Sequence, residues 1–231
     1  MRLLIVRLSA MGDVIHGLPL AANAAAAGHE VGWLTGSRYA GLLEDAPFIR
    51  RLFLVDTRRG VPSRGGGILA VRRELRAWAP ELTIDAQGLW KSALAARLAP
   101  APVIGFSRAE RREPGSALLC HRIVAPARQG RHVVERNLSL LEAAGIPVRS
   151  PSPDAAFLLD RRSPEADAFL ARIPAPFALY HPGTARAEKA WGEERFAELA
   201  RTLGTRRGLT PVISWGPGDA LRVERFREVL P

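Results

Sequence analysis

The sequence predicts an α/β fold built on a mostly parallel sheet. Short apolar segments alternate with segments of helical periodicity, which is the pattern of βαβ units. The first apolar segment, residues 3–7, shows no polar alternation, as expected for a strand buried on both faces. With 231 residues, 47% of them apolar, the chain can bury a core in one large domain or two smaller ones.

In the first half of the chain, the predicted strands and helices follow a regular order. Each predicted strand is a short run of aliphatic residues, and these runs are residues 3–7, 30–34, 49–56, 82–85 and 103–106. Helical periodicity predicts helices at residues 14–27, 39–45, 69–79, 92–98 and 132–144. The last of these helices is followed by Gly145, the residue type that most often ends a helix.

Prolines interrupt the periodicity between residues 145 and 164, which predicts a boundary between two domains. We expect an N-terminal domain over residues 1–150, a linker over 151–175 and a second domain over 176–231. The second domain repeats the βα order, with strands at 177–181 and 211–214 and helices at 193–203 and 222–229. Two strands are few for a doubly wound sheet, so this domain is predicted to be incomplete.

The charge balance indicates an anionic partner. There are 33 basic and 23 acidic side chains, a net charge of +10, which favours phosphorylated substrates, acidic lipid surfaces or nucleic acid. Aromatic residues make up 6% of the chain, and none lies among the arginine clusters to stack bases. We therefore expect no nucleic-acid partner and keep a basic nucleic-acid-binding protein as a remote alternative.

The N-terminal apolar segment is too short for a signal peptide, and the chain has one cysteine, Cys120. A single cysteine excludes an internal disulfide framework and fits a reducing compartment, so we expect a cytoplasmic protein. The five histidines have no metal-ligand spacing, so we expect no metal.

A turn of small residues follows the first predicted strand, with the sequence Ser-Ala-Met-Gly-Asp at residues 9–13. Open parallel sheets bind ligands just beyond the carboxyl ends of their strands, where this turn lies. Asp13 is therefore a candidate general base. Aspartate is also common in the first turn of a helix, and the residues alone favour this cap role. The turn has neither the glycine spacing of a dinucleotide site nor the lysine of a P-loop.

A second turn of this kind follows the strand at 82–85, where Asp85 precedes Gln87, Lys91 and a helix. Both turns are predicted at the same edge of the sheet. Lys91 is one of two lysines in the chain and is suited to hold a phosphate or carboxylate. The simpler alternative is an exposed lysine near a helix start.

Arginines cluster in two further segments, one with Arg58, Arg59 and Arg64 beside glycines and the other with Arg111 and Arg112 near two glutamates. Guanidinium groups bind phosphate through two hydrogen bonds, so these segments predict an anionic acceptor, such as a phosphorylated one. The alternative is that they are solvated charged loops.

Two turns of the second half also carry polar groups. Thr184, Arg186 and Lys189 lie between a strand and a helix, a composition suited to a diphosphate. The next turn contains Trp215, Gly216 and Asp219, whose carboxylate could accept hydrogen bonds from a ribose or a base.

Taken together, these motifs resemble the family 9 glycosyltransferases, in particular the lipopolysaccharide heptosyltransferases that add the first heptose to the inner core. The resemblance extends over the whole chain. It rests on Ser-Ala-Met-Gly-Asp-Val-Ile-His at 9–16 with Leu18-Pro19, Ile-Asp-Ala-Gln-Gly-Leu at 84–89 with Lys91-Ser92, His-Val-Val-Glu-Arg at 132–136, Lys189 with Trp191, and Trp215-Gly216.

The resemblance implies a GT-B fold of two Rossmann-like domains, the second incomplete, and inverting transfer of heptose from ADP-heptose to Kdo-lipid A without a cofactor. It makes Asp13 the general base. It also implies that Lys189 neutralises the negative charge that develops on the diphosphate of ADP. The implied donor contacts are Ser9, Met11, Gly12, Thr184, Arg186, Trp215, Gly216 and Asp219. The implied acceptor contacts are Arg58, Arg59, Arg64, Gln87, Lys91, Arg111, Arg112 and His132.

A lipid acceptor implies peripheral contact with the cytoplasmic face of the inner membrane. The alternative within the family is a truncated, non-catalytic chain that binds the anionic acceptor only.

Overall fold

The structure is a computed structural model that describes residues 1–56, 67–125, 132–152, 155–159, 162–184, 187–216 and 218–229. Its residues divide into two units, Met1–Arg161 and Arg162–Pro231, and each unit is described by itself.

A parallel sheet forms the centre of the first unit. Its strands are β1 (Arg2–Val6), β2 (Glu30–Gly36), β3 (Arg51–Val55), β4 (Leu82–Asp85), β5 (Val103–Phe106) and β6 (Arg122–Val124). Their order is β3-β2-β1-β4-β5-β6, and every neighbouring pair is parallel. This is the strand order of a Rossmann-like sheet, with β1 and β4 at its centre. The predicted α/β fold class is confirmed.

The alternation of side chains along β1 explains why its sequence is apolar throughout. Leu3 and Ile5 point to one face of the sheet, where they join a cluster that contains Val14 and Leu18. Leu4 and Val6 point to the other face and join a separate cluster. Successive residues of a strand face opposite sides, so a strand covered on both sides needs an apolar residue at every position.

Helices cover both faces of this sheet. They are α1 (Met11–Ile15), α2 (Leu18–Ala26), α3 (Ile68–Trp78), α4 (Trp90–Ala96), α5 (Val133–Ala143) and α6 (Ala156–Leu159). The single helix predicted over 14–27 is wrong because α1 and α2 are separated at Gly17. A Cβ atom at Gly17 would lie 2.7 Å from the ring of Trp33, so the break allows the chain to approach β2.

Two further predictions for this unit differ from the structure. A short 3-10 turn, Ser37–Leu42, replaces the helix predicted at 39–45. Strand β6 was not predicted; it is three residues long and pairs with β5 alone at the edge of the sheet. Such a short run with exposed side chains carries almost no strand signal.

The second unit contains α7 (Pro164–Leu170), β7 (Phe177–Tyr180), α8 (Glu193–Arg207), β8 (Thr210–Ile213) and α9 (Ala220–Val229). Strands β7 and β8 are parallel. Their small core consists of Tyr180, Ala197, Ala200 and Phe226. Helix α8 is one turn longer than predicted and ends at Gly208, whose φ of 65° is readily adopted only by glycine.

No helix within the described residues is long and apolar enough to cross a membrane.

Candidate functional site

The turns that follow β1 and β4 begin side by side. Val6 and Asp85, the last residues of the two strands, are paired in the parallel register. Together with the loop after β5 and the start of α5, these turns surround a pocket of about 560 Å³. Its lining includes Arg7, Ser9, Asp13, Gln87, Lys91, Glu110, Arg111, Arg112 and Arg136. The structure thus brings together the two turns that the sequence placed at one edge of the sheet.

Asp13 lies in the first turn of α1, and both of its carboxylate oxygens are engaged. Oδ2 accepts a hydrogen bond from the backbone N–H of Ala10 at 3.2 Å, and Oδ1 lies 2.9 Å from Nη2 of Arg7. The side chain is nevertheless 45% exposed. The cap role favoured by the residues alone is therefore present, and it leaves the carboxylate open to the pocket.

The partner of Asp13, Arg7, was not predicted as a site residue. Its side chain is only 8% exposed, and its Nη1 donates a hydrogen bond to the carbonyl oxygen of Ala86 in the turn after β4. Burial lowers the pKa of Arg7, and the nearby carboxylate of Asp13 opposes this shift. The signal that could have revealed it is a cation at the end of an apolar strand, directly before a ligand-binding turn.

Ser9 connects the two turns through its hydroxyl group. The backbone N–H of Leu8 donates to Oε1 of Gln87 at 2.8 Å, which assigns Nε2 of that amide as a donor. Nε2 lies 3.1 Å from Oγ of Ser9, and Nζ of Lys91 lies 3.0 Å from the same oxygen. Both lone pairs of the Ser9 oxygen are then occupied, so its own proton is available to a ligand in the pocket.

The charges around the pocket are mostly positive. The cations that line it are Arg7, Lys91, Arg111, Arg112 and Arg136, whereas the lining carboxylates are Asp13 and Glu110. Arg136 lies 4.6 Å from the ring centroid of Phe106 and donates to the carbonyl oxygen of Glu110 at 3.0 Å. Arg136 belongs to the motif at 132–136, and the sequence did not predict its place in the pocket.

The acceptor contact from Arg111 stays a prediction, and the guanidinium of this residue is engaged inside the protein. Arg111 and Asp85 form an ion pair of 2.8 Å in which both side chains are 0% exposed. The other acceptors of its N–H groups are the carbonyl oxygen of Phe106 (2.6 Å), Oγ of Ser116 (2.9 Å) and Sγ of Cys120 (2.8 Å). These contacts direct most of its N–H groups to acceptors inside the protein, whereas its neighbour Arg112 is exposed.

The remaining predicted residues of the first unit are close to the pocket or outside the described residues. Met11 and Gly12 are exposed in α1, immediately before Asp13. His132 precedes α5, and its Nδ1 accepts a hydrogen bond from the backbone N–H of Val134 at 3.3 Å. The predictions for Arg58, Arg59 and Arg64 lie outside the described residues.

In the second unit, the turns after β7 and β8 carry the predicted donor-binding residues. Thr184 and the exposed Lys189 follow β7. Trp215, which is 50% exposed, Gly216 and Asp219 follow β8. Because β7 and β8 are parallel, both turns lie at one edge of the small sheet. Arg186 lies outside the described residues.

A contact joins these two turns, and another lies within the turn after β8. Nδ1 of His181 lies 3.0 Å from Oγ of Ser214, and Oδ2 of Asp219 accepts a hydrogen bond from the backbone N–H of Gly216 at 3.2 Å. A Cβ atom at Gly183 would collide with the carboxylate of Asp219. The first turn therefore passes so close to the second that a larger residue at position 183 would displace the side chain of Asp219.

Within the ranges that the structure describes, no group of three or more His, Cys, Asp or Glu side chains is arranged to hold a metal ion.

Comparison with known proteins gives consistent results. The family described as glycosyltransferase family 9 (heptosyltransferase) matches residues 68–231. Lipopolysaccharide heptosyltransferase 1 of Pseudomonas aeruginosa is 33% identical over 227 residues, which are 94% of this chain and 61% of that protein. The enzyme of the same name from Escherichia coli K12 is 31% identical over 240 residues, covering 99% of this chain and 72% of the relative.

Solved structures show the same relationship. The structure of E. coli heptosyltransferase WaaC with ADP is 31% identical, with a TM-score of 0.75 over 99% of this chain and 71% of that one. E. coli ADP-heptose heptosyltransferase II, at 16% identity, shares the fold with a TM-score of 0.71. These likenesses confirm the GT-B fold class. The chain spans 61% of the Pseudomonas relative and about seven tenths of the E. coli ones. From these matches, the chain belongs to glycosyltransferase family 9.

Proposed function

We propose that the chain transfers heptose from ADP-heptose to the Kdo-lipid A inner core in lipopolysaccharide biosynthesis, with inversion at the anomeric carbon. The observation that carries the proposal is the half-exposed Asp13 carboxylate, fixed by two hydrogen-bond donors beside a cationic pocket. The proposal is also supported by relatives named lipopolysaccharide heptosyltransferase 1. Solved structures of related heptosyltransferases with ADP and with ADP-2-deoxy-2-fluoro heptose support it further.

Asp13 acts in this proposal as the general base. Its carboxylate takes the proton of a Kdo hydroxyl while the hydroxyl oxygen forms a bond to the anomeric carbon of heptose. The bond from that carbon to the diphosphate oxygen breaks, and ADP leaves with the electron pair. A base must lie within hydrogen-bond reach of the proton that it removes, and the open face of Asp13 in the pocket satisfies this need.

The acceptor binds in the cationic pocket. Lys91 and Arg112 are exposed and line it, which suits them to the phosphates and carboxylates of Kdo-lipid A. Gln87 lines the pocket beside them and holds Ser9. His132 at the start of α5 completes the proposed acceptor contacts, together with Arg58, Arg59 and Arg64 outside the described residues.

The proposed donor contacts of the second unit lie in its two turns, and those of the first unit are Ser9, Met11 and Gly12. Lys189 is exposed, and its ammonium is suited to neutralise the charge that develops on the departing ADP. Thr184, Arg186, Trp215, Gly216 and Asp219 are the further donor contacts. The exposed face of Trp215 is suited to stack on a base, and the carboxylate of Asp219 to accept a ribose hydrogen bond.

We also propose that the chain works in the cytoplasm and meets an anionic lipid surface peripherally. Its net charge of +10 favours such a surface. Trp90 and Leu94, one turn apart on α4, are 44% and 57% exposed, and Arg97 follows on the same face. An apolar face beside cations is the composition that binds acidic headgroups.

The direct test incubates the chain with ADP-heptose and Kdo-lipid A in anionic vesicles and detects heptosylated product by mass spectrometry. We expect product, inversion at the anomeric carbon by NMR, and co-sedimentation with anionic but not neutral vesicles. Acceptor binding without ADP binding or turnover would instead support a non-catalytic chain. Tight, steeply salt-dependent binding to DNA or RNA without sugar transfer would support the nucleic-acid alternative.

Replacing Lys91 with glutamine tests the acceptor site. We expect a water-soluble Kdo-lipid A analogue to bind about tenfold more weakly, because a charge-assisted hydrogen bond to an anion is lost. Titration calorimetry measures the affinity. Arg76→Gln is the matched control, since it removes one exposed positive charge from α3 without lining the pocket. Equal losses in both variants would show that only overall charge matters.

A further inference from the structure

We infer that Arg7 is the positioning residue for Asp13. Its guanidinium holds the Asp13 carboxylate in a fixed orientation in the pocket and places a buried positive charge beside it. The inference rests on the proposed role of Asp13 as the base. It concerns a residue that none of the sequence motifs singled out, and it begins from the contacts of the guanidinium group.

The guanidinium of Arg7 spans the two turns of the site. Nη2 lies 2.9 Å from Oδ1 of Asp13, after β1, and Nη1 donates to the carbonyl oxygen of Ala86, after β4. The backbone N–H of Ala10 donates to the other oxygen of Asp13. Two donors on two different oxygens fix the plane of the carboxylate, and each oxygen keeps a second lone pair. The carboxylate thus reaches the pocket already oriented.

Burial makes this contact more than an ordinary surface ion pair. The Arg7 side chain is 8% exposed, so its charge is poorly screened by water. Arginine remains protonated in proteins, so the charge stays in place throughout the reaction. A fixed cation therefore holds the carboxylate of Asp13 by its charge as well as by a hydrogen bond.

Other charged groups surround this pair and must be kept constant in a test. Asp85 and Arg136 act electrostatically on Arg7. The pocket is also lined by Lys91 of α4 and by Glu110, Arg111 and Arg112 of the loop after β5. Substitutions at Arg7 leave all six groups unchanged, so a difference between variants reports on Arg7 itself.

The first measurement does not depend on sugar transfer. The side-chain carboxyl of Asp13 is followed by ¹³C NMR at neutral pH, its signal assigned by loss in Asp13→Asn. We expect a shifted or broadened carboxyl signal in Arg7→Met, because the carboxylate loses one of the two donors that fix its orientation. Arg7→Lys keeps a charged donor and should stay close to the wild-type signal. A wild-type carboxyl signal in Arg7→Met would overturn the inference, whether or not the chain transfers heptose.

The second measurement separates positioning from folding. In the transferring protein, Arg7→Met should lower kcat at least tenfold while KM for ADP-heptose changes less than about threefold, and Arg7→Lys should recover most of kcat. Arg2→Met, at the other end of β1 and outside the pocket, is the matched control and should retain wild-type kcat. If Arg7→Met does not fold, Arg7→Gln replaces it in both measurements. Wild-type kcat in the folded charge-removing variant would contradict the assignment.

Discussion

Asp13→Asn should lower the rate of heptose transfer by about 10²- to 10⁴-fold, the usual contribution of a general base. Asparagine has nearly the same shape and keeps one oxygen that can accept the N–H of Ala10 or the guanidinium of Arg7. It cannot take up a proton at neutral pH. The variant therefore preserves most contacts of the turn and removes the proposed proton acceptor, and transfer to a Kdo-lipid A analogue measures the loss.

Binding and folding must be measured beside this rate. Calorimetric affinities for ADP and for the acceptor should change less than about threefold, since the substitution leaves the other contacts of the pocket in place. Asp45→Asn is the matched control, because Asp45 is exposed and does not line the pocket around Asp13. Transfer at the wild-type rate in a folded Asp13→Asn variant would exclude Asp13 as the base.

The parts of the fold that could be predicted are those whose signal is local. The apolar run of β1 identifies a strand covered on both faces, and β4 and β5 have the predicted bounds for the same reason. Parallel strands then place the turns at 9–13 and 85–91 at one edge of the sheet. The pairing of Val6 with Asp85 confirms this part of the expectation.

The parts that could not be predicted depend on partners far away in sequence. The Ala86 oxygen that holds Arg7 is 79 residues from it, and Arg111 is 26 residues from Asp85. In a chain with this many arginines, the sequence does not distinguish a buried guanidinium from a solvated one. The break at Gly17 likewise depends on Trp33 in another strand. Local residue types predicted where the site lies, whereas tertiary contacts determine which cations a ligand can reach.

The ion pair between Arg111 and Asp85 predicts the largest effect on stability. Arg111→Met should lower the free energy of unfolding by about 3–5 kcal/mol, because it leaves the carboxylate of Asp85 buried without its cation. For a chain of this size, the melting temperature should fall by roughly 6–20 °C. Urea unfolding followed by circular dichroism measures the change. Arg112→Met, at an exposed neighbour, should stay within about 0.5 kcal/mol of wild type.

A double-mutant cycle distinguishes the ion pair from the general cost of altering a buried site. Asp85→Asn leaves Arg111 as an unpaired buried cation. In the wild type, Oδ1 of Asp85 accepts hydrogen bonds from the backbone N–H groups of Gln87 (3.2 Å) and Gly88 (3.3 Å), and the asparagine oxygen can still accept them. The double variant contains no isolated buried charge, so it should lose less stability than the sum of the single variants. Strict additivity would mean that packing around Arg111, rather than its charge, holds the loops after β4 and β5 together. A large coupling would show that the arginine next to the proposed acceptor contact Arg112 serves to fix the wall of the pocket.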